Sequence, residues 1–252
     1  MSWPAFPPST TQVQVAEKWS FVGTKQRHCD PDDEADWLTG DPWDHVALDP
    51  DSRLVSQVII GPRTADGARR LREGVRDRLG GRVPALIPSD ESPVYPDVVR
   101  AVVGETRVPP RTGRPGRPAG PRGMPPDDLC YATVHKTRKR GRVTGVTTRV
   151  VYGESSDGER VSTSYLERQN GTDRRRNARK GRKTYRFSKD WELHEAVTCL
   201  TRYSYNFGWP VRTLREGDRE SGDVQRTPAM VAGLTDHVWS LDEWFTFPGV
   251  QR

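Results

Sequence analysis

Two carboxylates stand where phosphoryl-transfer chemistry would use them. Asp90 follows the short apolar run 82–88, in Ser89-Asp90-Glu91, and Glu167 lies in a later, strongly basic helical stretch. Two divalent ions about 3.5–4 Å apart activate an attacking oxygen and stabilise a leaving one. Mg²⁺ is a hard ion that takes carboxylate and water ligands, and ligands of α/β sheets gather in the crevice beyond the strand ends. Each residue also has a structural reading. An Asp after a strand caps turns or helices, and Glu167 beside Arg168 makes an ordinary surface pair.

The stretch around Glu167 is the more specific. By the i+3/i+4 rule Thr163, Glu167, Asn170, Gly171 and Arg174 share a helix face. That face lacks the apolar stripe of a structural helix. Gly171 in its interior costs about 1 kcal/mol relative to Ala, which predicts a close backbone approach. Arg174, Arg175, Arg176, Arg179, Lys180, Arg182 and Lys183 then spread positive charge round the following turns. Together with Arg168 and Asn170 they form the candidate DNA-binding set; an RNA-reading helix is the alternative.

Several elements must position these groups. The segment 11–22 alternates polar and apolar residues and reads as a strand, and WDHVALD and RLVSQVIIG are two more, separated by Pro50-Asp51-Ser52. Ala68, Leu71, Val75 and Leu79 recur at helical spacing, with Thr64 or Asp66 as cap. A strand over 82–88 and a short helix over 93–103 follow. The order β-β-β-α-β-α predicts an antiparallel meander feeding a right-handed crossover, hence a mixed α/β sheet. Residues 108–128 are dense in Pro, Gly and Arg and predict an extended arm. Beyond them a hairpin turns near Lys139-Arg140-Gly141, a helix capped by Ser162 or Thr163 runs through 166–181, and another covers 189–205. Three parts result: 1–105, 106–160 as basic linker and hairpin, and 161–252 as the helical part with Glu167.

Charge sharpens the choice of partner. The 252 residues carry a net +6, with mean hydropathy −0.81 and 33% hydrophobic residues. Between Arg107 and Lys189 stand 22 basic and 7 acidic residues, a local +15, while the rest holds 18 and 27, or −9. Such a stripe favours a polyanion through counterion release. No apolar run approaches the roughly 18 residues of a membrane span, and the N-terminus lacks a signal-peptide pattern. Cys29, Cys130 and Cys199 lack the spacing of a disulfide scaffold or zinc ribbon. The reading is a cytoplasmic protein with no membrane and no small-molecule substrate.

The string TSYLERQNGTDRRRNARKGRKTYRFSKDWELH, with GDPWDHVALDPDSRLV, GPRTADGARRL, SDESPVY and RTPAM, resembles the insertion sequence one family of bacterial transposases from about Gln12 onward. That resemblance implies a ribonuclease H-like mixed sheet with flanking helices, and a DDE active site. It implies Mg²⁺- or Mn²⁺-dependent cleavage and joining of double-stranded DNA, a homo-oligomer on DNA ends, and a nucleoid-associated place in a bacterial cytoplasm. The second and third acidic positions map onto Asp90 and Glu167, as catalytic residues and metal ligands. The first does not: in VQVAEKWSFVG the aspartate position is Ala16. Glu17 is expected on the opposite face of the strand, and Asp44 on the neighbouring strand is the remaining substitute. The family's zinc-finger-like and helix-turn-helix region is expected ahead of the first strand, where this sequence reads MSWPAFPPSTT. The expectation is a degenerate or truncated transposase, with a non-catalytic DNA-binding remnant or regulator as the alternative.

His135 in the hairpin reads as a surface histidine, and His28-Cys29-Asp30 lacks the further ligands a metal needs. The tryptophans are expected mostly in the core. Arg111, Arg114, Arg117 and Arg122 suit either a minor-groove arm or a disordered one.

Overall fold

Strand β1 (Gln14–Trp19) sits in the middle of the sheet, and its alternation divides the molecule into two layers. Val13 and Val15 face one side, and Gln14, Ala16 and Lys18 the other. The computed structural model describes residues 5–108, 120–154, 161–181, 184–217 and 222–247. β2 (Trp43–Leu48) pairs antiparallel with β1, and β3 (Val55–Gly61) antiparallel with β2. Helix α1 (Ala65–Arg78), capped by the Thr64 side chain on Gly67 N–H, crosses over to β4 (Leu86–Asp90), which lies parallel to β1. The expected strand starts later than 82 because Gly80 and Gly81, both at positive φ, take the chain round the end of α1.

Helix α2 (Tyr95–Val103) follows, then β5 (Glu105–Arg107), which pairs with β6 (Arg122–Met124) as a separate ribbon. Most of the expected arm, with Arg111, Arg114 and Arg117, lies outside the described residues, as does the Arg122 side chain. β7 (Cys130–Lys139) lies parallel to β4, and β8 (Arg142–Tyr152) returns antiparallel. Arg140 and Gly141 both take positive φ at the turn, the geometry that two-residue hairpins with right-handed twist require. The sheet order is β3-β2-β1-β4-β7-β8, a mixed α/β architecture.

Val13, Val15, Ala47 and Ile87 pack against α1 and α2 through Leu71, Val75, Tyr95 and Val99. The opposite face is covered by α3 (Ser164–Arg176) and α4 (Trp191–Gly208), where Ala16, Val46 and Leu48 meet Leu166 and Tyr205. Two short helices, α5 (Pro228–Val231) and α6 (Leu241–Thr246), finish the described chain. Among the tryptophans of the described residues only Trp244 is fully buried, with Trp37 and Trp209 exposed; aliphatic side chains fill most of the core instead. The cysteines are free, and no described helix is long and apolar enough to cross a membrane.

Candidate functional site

Helix α3 is fixed over β1 by its first turn. The Leu166 N–H donates to Gln14 Oε1 at 3.0 Å, and the Leu166 side chain lies in one buried cluster with Ala16. The helix does lack a continuous apolar stripe. Its buried face is Leu166, Gln169, Asn170 and Asp173, while Glu167 stands at the edge, facing β7. Gly171 is exposed, and a Cβ there would meet open space, so the expected close approach is absent. The helix stops at Arg176 because Asn177 turns extended and caps a short 3₁₀ turn over 178–180.

Asp90, at the end of β4, is partly buried. Ser89 lies beside Val15, so alternation places Asp90 on the α3 face with Ala16. Burial, then Glu17 and Glu167, raise its carboxyl to about 7, against the Glu17 backbone N–H and Arg63. Its Oδ1 is buried and finds no hydrogen-bond partner. Glu167 accepts from Thr163 Oγ1 at 3.1 Å and pairs with the Lys136 ammonium from β7. The Glu167 charge thus acts on Asp90, and Ala16, on the same face of the sheet, supplies only a methyl group.

Because the folded pKa of Asp90 is raised, the native state binds more protons than the unfolded one between the ordinary carboxylate range and about pH 7. Stability from this group falls as pH rises through that window. Asp90→Asn is therefore expected to stabilise the protein by on the order of 2 kcal/mol at about pH 8 and negligibly at about pH 4. The corresponding rise in Tm is roughly 4–8 °C at the higher pH. Melting curves at the two pH values check this, and a rise of equal size at both would contradict it.

Neither Glu17 nor Asp44 presents its carboxylate on the α3 face beside Ala16 free of other partners. Glu17 lies on the far face, where it pairs with Arg63, accepts from Ser92 Oγ at 3.3 Å and lies 3.7 Å from His45 Nδ1. Asp44 is on the α3 side but is fully buried, 2.5 Å from Lys180 Nζ and 3.0 Å from Lys18 Nζ. Lys18 also pairs with Asp173, and Arg202 of α4 lies 3.5 Å from that carboxylate and 4.0 Å from Asp44. Five charged side chains with no exposure make up this cluster. The alternation itself carried its signal: Lys18 shares the inward face of β1 with Ala16, and an inward lysine needs a buried anion.

The expected DNA-binding set separates accordingly. Arg168 and Arg175 are exposed. Arg174, Arg176 and Arg179 are half-buried, with the Arg176 guanidinium 4.2 Å from the centre of the Trp209 ring. Asn170 is buried, and Lys180 points inward to Asp44, which takes both away from a phosphate-facing surface. Arg182 and Lys183 lie outside the described residues. Exposed cations missed in the candidate set sit on the hairpin: Arg138, Lys139, Arg140, Arg142 and Arg149. His135 is exposed there and pairs with Glu91.

No protein-family model matches the chain, and no curated protein matches it at a significant level.

Proposed function

We propose that this chain is a DNA-binding derivative of a DDE transposase, with the ribonuclease H-like arrangement retained and the metal site dismantled. What supports this reading is that Asp90 and Ala16 share the α3-covered face of the sheet, and that the Glu167 charge on α3 acts on the Asp90 carboxyl. The β3-β2-β1-β4-β7 order, with β4 and β7 parallel to β1, supports the fold assignment. As they stand, the donors do not fit a pair of divalent ions. One carboxylate is absent, Glu167 is paired with the Lys136 ammonium, and burial raises the Asp90 carboxyl to about 7, towards its protonated form. Arg168, Arg175 and the hairpin's Arg138, Lys139, Arg140, Arg142 and Arg149 remain for duplex phosphates; none of these pairs with a carboxylate among the described residues. The proposed setting is a bacterial cytoplasm, with the chain regulating or competing with an intact transposase.

Anisotropy titrations of a labelled duplex at several salt concentrations test this. Binding is expected to weaken linearly in log–log form, with a slope of about −0.9 per phosphate neutralised. Arg175→Ala should reduce the slope by about one unit. Mg²⁺ beyond its ionic strength, and Asp90→Asn, should change nothing. Absence of duplex binding at low salt, or a strict requirement for Mg²⁺, would refute the reading.

A further inference from the structure

On the side of α3 away from Lys136, a cavity of about 210 Å³ opens between α3, the end of α4 and the β2–β3 turn. Arg53, Arg168 and Arg212 line it together with Tyr165 and Trp209, and Tyr205 is the buried tyrosine beneath. The three guanidinium groups come from three separate elements, so their meeting is a property of the fold. Arg53 holds a positive φ of 63°, a strained backbone for a residue with a Cβ. That geometry lays its guanidinium 3.4 Å from the centre of the Tyr165 ring. Arg176 covers one face of Trp209, and its Nη1 is buried without a hydrogen-bond partner. Arg53, Arg168 and Arg176 all act electrostatically on the Tyr205 hydroxyl, which burial holds at about 12. Among the described residues no carboxylate pairs with any of these four arginines.

Three arginines that have no carboxylate partner among the described residues line the cavity beside two exposed aromatic rings, and their like charges favour an anion between them. The combination of guanidinium groups with flat rings suits a phosphate carrying a base, since bases stack on aromatic side chains irrespective of sequence. The volume suits a base, with its sugar and phosphate at the open rim beside the arginines. Duplex DNA keeps its bases stacked and presents only phosphates, so the rings would have no partner there. From this geometry we infer that the cavity is a binding site for an unpaired nucleotide of single-stranded DNA. The site lies on the face of α3 that carries Tyr165, Arg168 and Thr172, and the inference rests on the proposed DNA-binding function and extends it to strands with an unpaired segment.

The test uses the full chain with a labelled oligothymidylate of about ten nucleotides and, in parallel, a labelled blunt duplex. Trp209 is 48% exposed, so Trp209→Ala removes a ring without opening the core, and Arg212→Glu reverses one charge at the rim. Each is expected to weaken oligothymidylate binding about tenfold or more, the scale of one stacked base, while duplex affinity stays within about twofold. Duplex binding by the native chain with oligothymidylate affinity unchanged in both variants would overturn the cavity assignment and leave the proposed function standing. Oligothymidylate binding that both variants weaken, without any duplex binding, would uphold the cavity and overturn the duplex reading. Tighter binding of oligouridylate than of oligothymidylate would overturn the assignment to DNA.

Discussion

Asp44→Ala is expected to cost about 3–5 kcal/mol, a large share of the roughly 5–15 kcal/mol that holds a domain folded. Lys18→Met, in the same cluster, is expected to cost about 1.5 kcal/mol or less. The asymmetry follows from charge counting inside a region without water. Lys18, Lys180 and Arg202 face Asp44 and Asp173, and all five side chains have no exposure. Removing Asp44 leaves three cations on one carboxylate. Removing Lys18 leaves two on two, and a methionine of similar length fills its channel.

The pKa directions agree with this balance. Burial, and then the neighbouring cations, pull Lys18 well below the ordinary lysine value, against the pull of Asp44. Lys180 falls to about 8, mainly by burial. The unfolded state therefore binds more protons than the native state between about pH 8 and the ordinary lysine pKa, so this group makes stability rise with pH across that window. Urea midpoints of the two variants at neutral pH decide the matter. Equal losses, or a larger loss for Lys18→Met, would show that the cluster is not organised around Asp44.

The second large effect concerns position 16. Ala16→Asp places a third carboxylate among Asp90, Glu167 and Leu166 at a site only 3% exposed. Without a counter-ion the substitution is expected to cost about 3 kcal/mol, the scale for an unpaired buried polar group, and to lower Tm by roughly 6–12 °C. A divalent ion that binds only the folded variant returns about 2.7 kcal/mol at a hundredfold excess over its Kd. Calorimetric scans with and without Mg²⁺ should therefore show the variant recovering most of its loss and the native chain unchanged. A variant indifferent to Mg²⁺ would mean that the residues around position 16 cannot converge on an ion.

The meander, the crossover helix and the hairpin were legible because each rests on local chemistry. Alternation in the segment 11–22, the Leu71 and Val75 spacing, and the Arg140-Gly141 turn all act within a few residues. Of the buried cluster only the inward Lys18 left a trace in the alternation of β1; its partners were not legible, because Lys18, Asp173 and Arg202 are far apart in the chain and their charges imitate a solvated surface. Lys180 shows the same difficulty. In a run of basic residues nothing local separates the one turned inward from those facing solvent; the extended Asn177 that redirects the chain is visible only in three dimensions. The cavity beside α3 was not legible for a related reason, as Arg53, Arg168 and Arg212 come from distant segments. The neighbours of Asp90 and Glu167 in sequence single the two out as candidates, but the contact of Lys136 with Glu167, from a distant strand, was not readable there.

The most direct measurement is a calorimetric titration of Mn²⁺ into the native chain and into Ala16→Asp, side by side. The native chain should give no saturable heat. The variant should give a saturable isotherm that Glu167→Gln abolishes. Stoichiometric Mn²⁺ binding by the native chain, lost on Asp90→Asn, would contradict the proposal that the metal site has been dismantled.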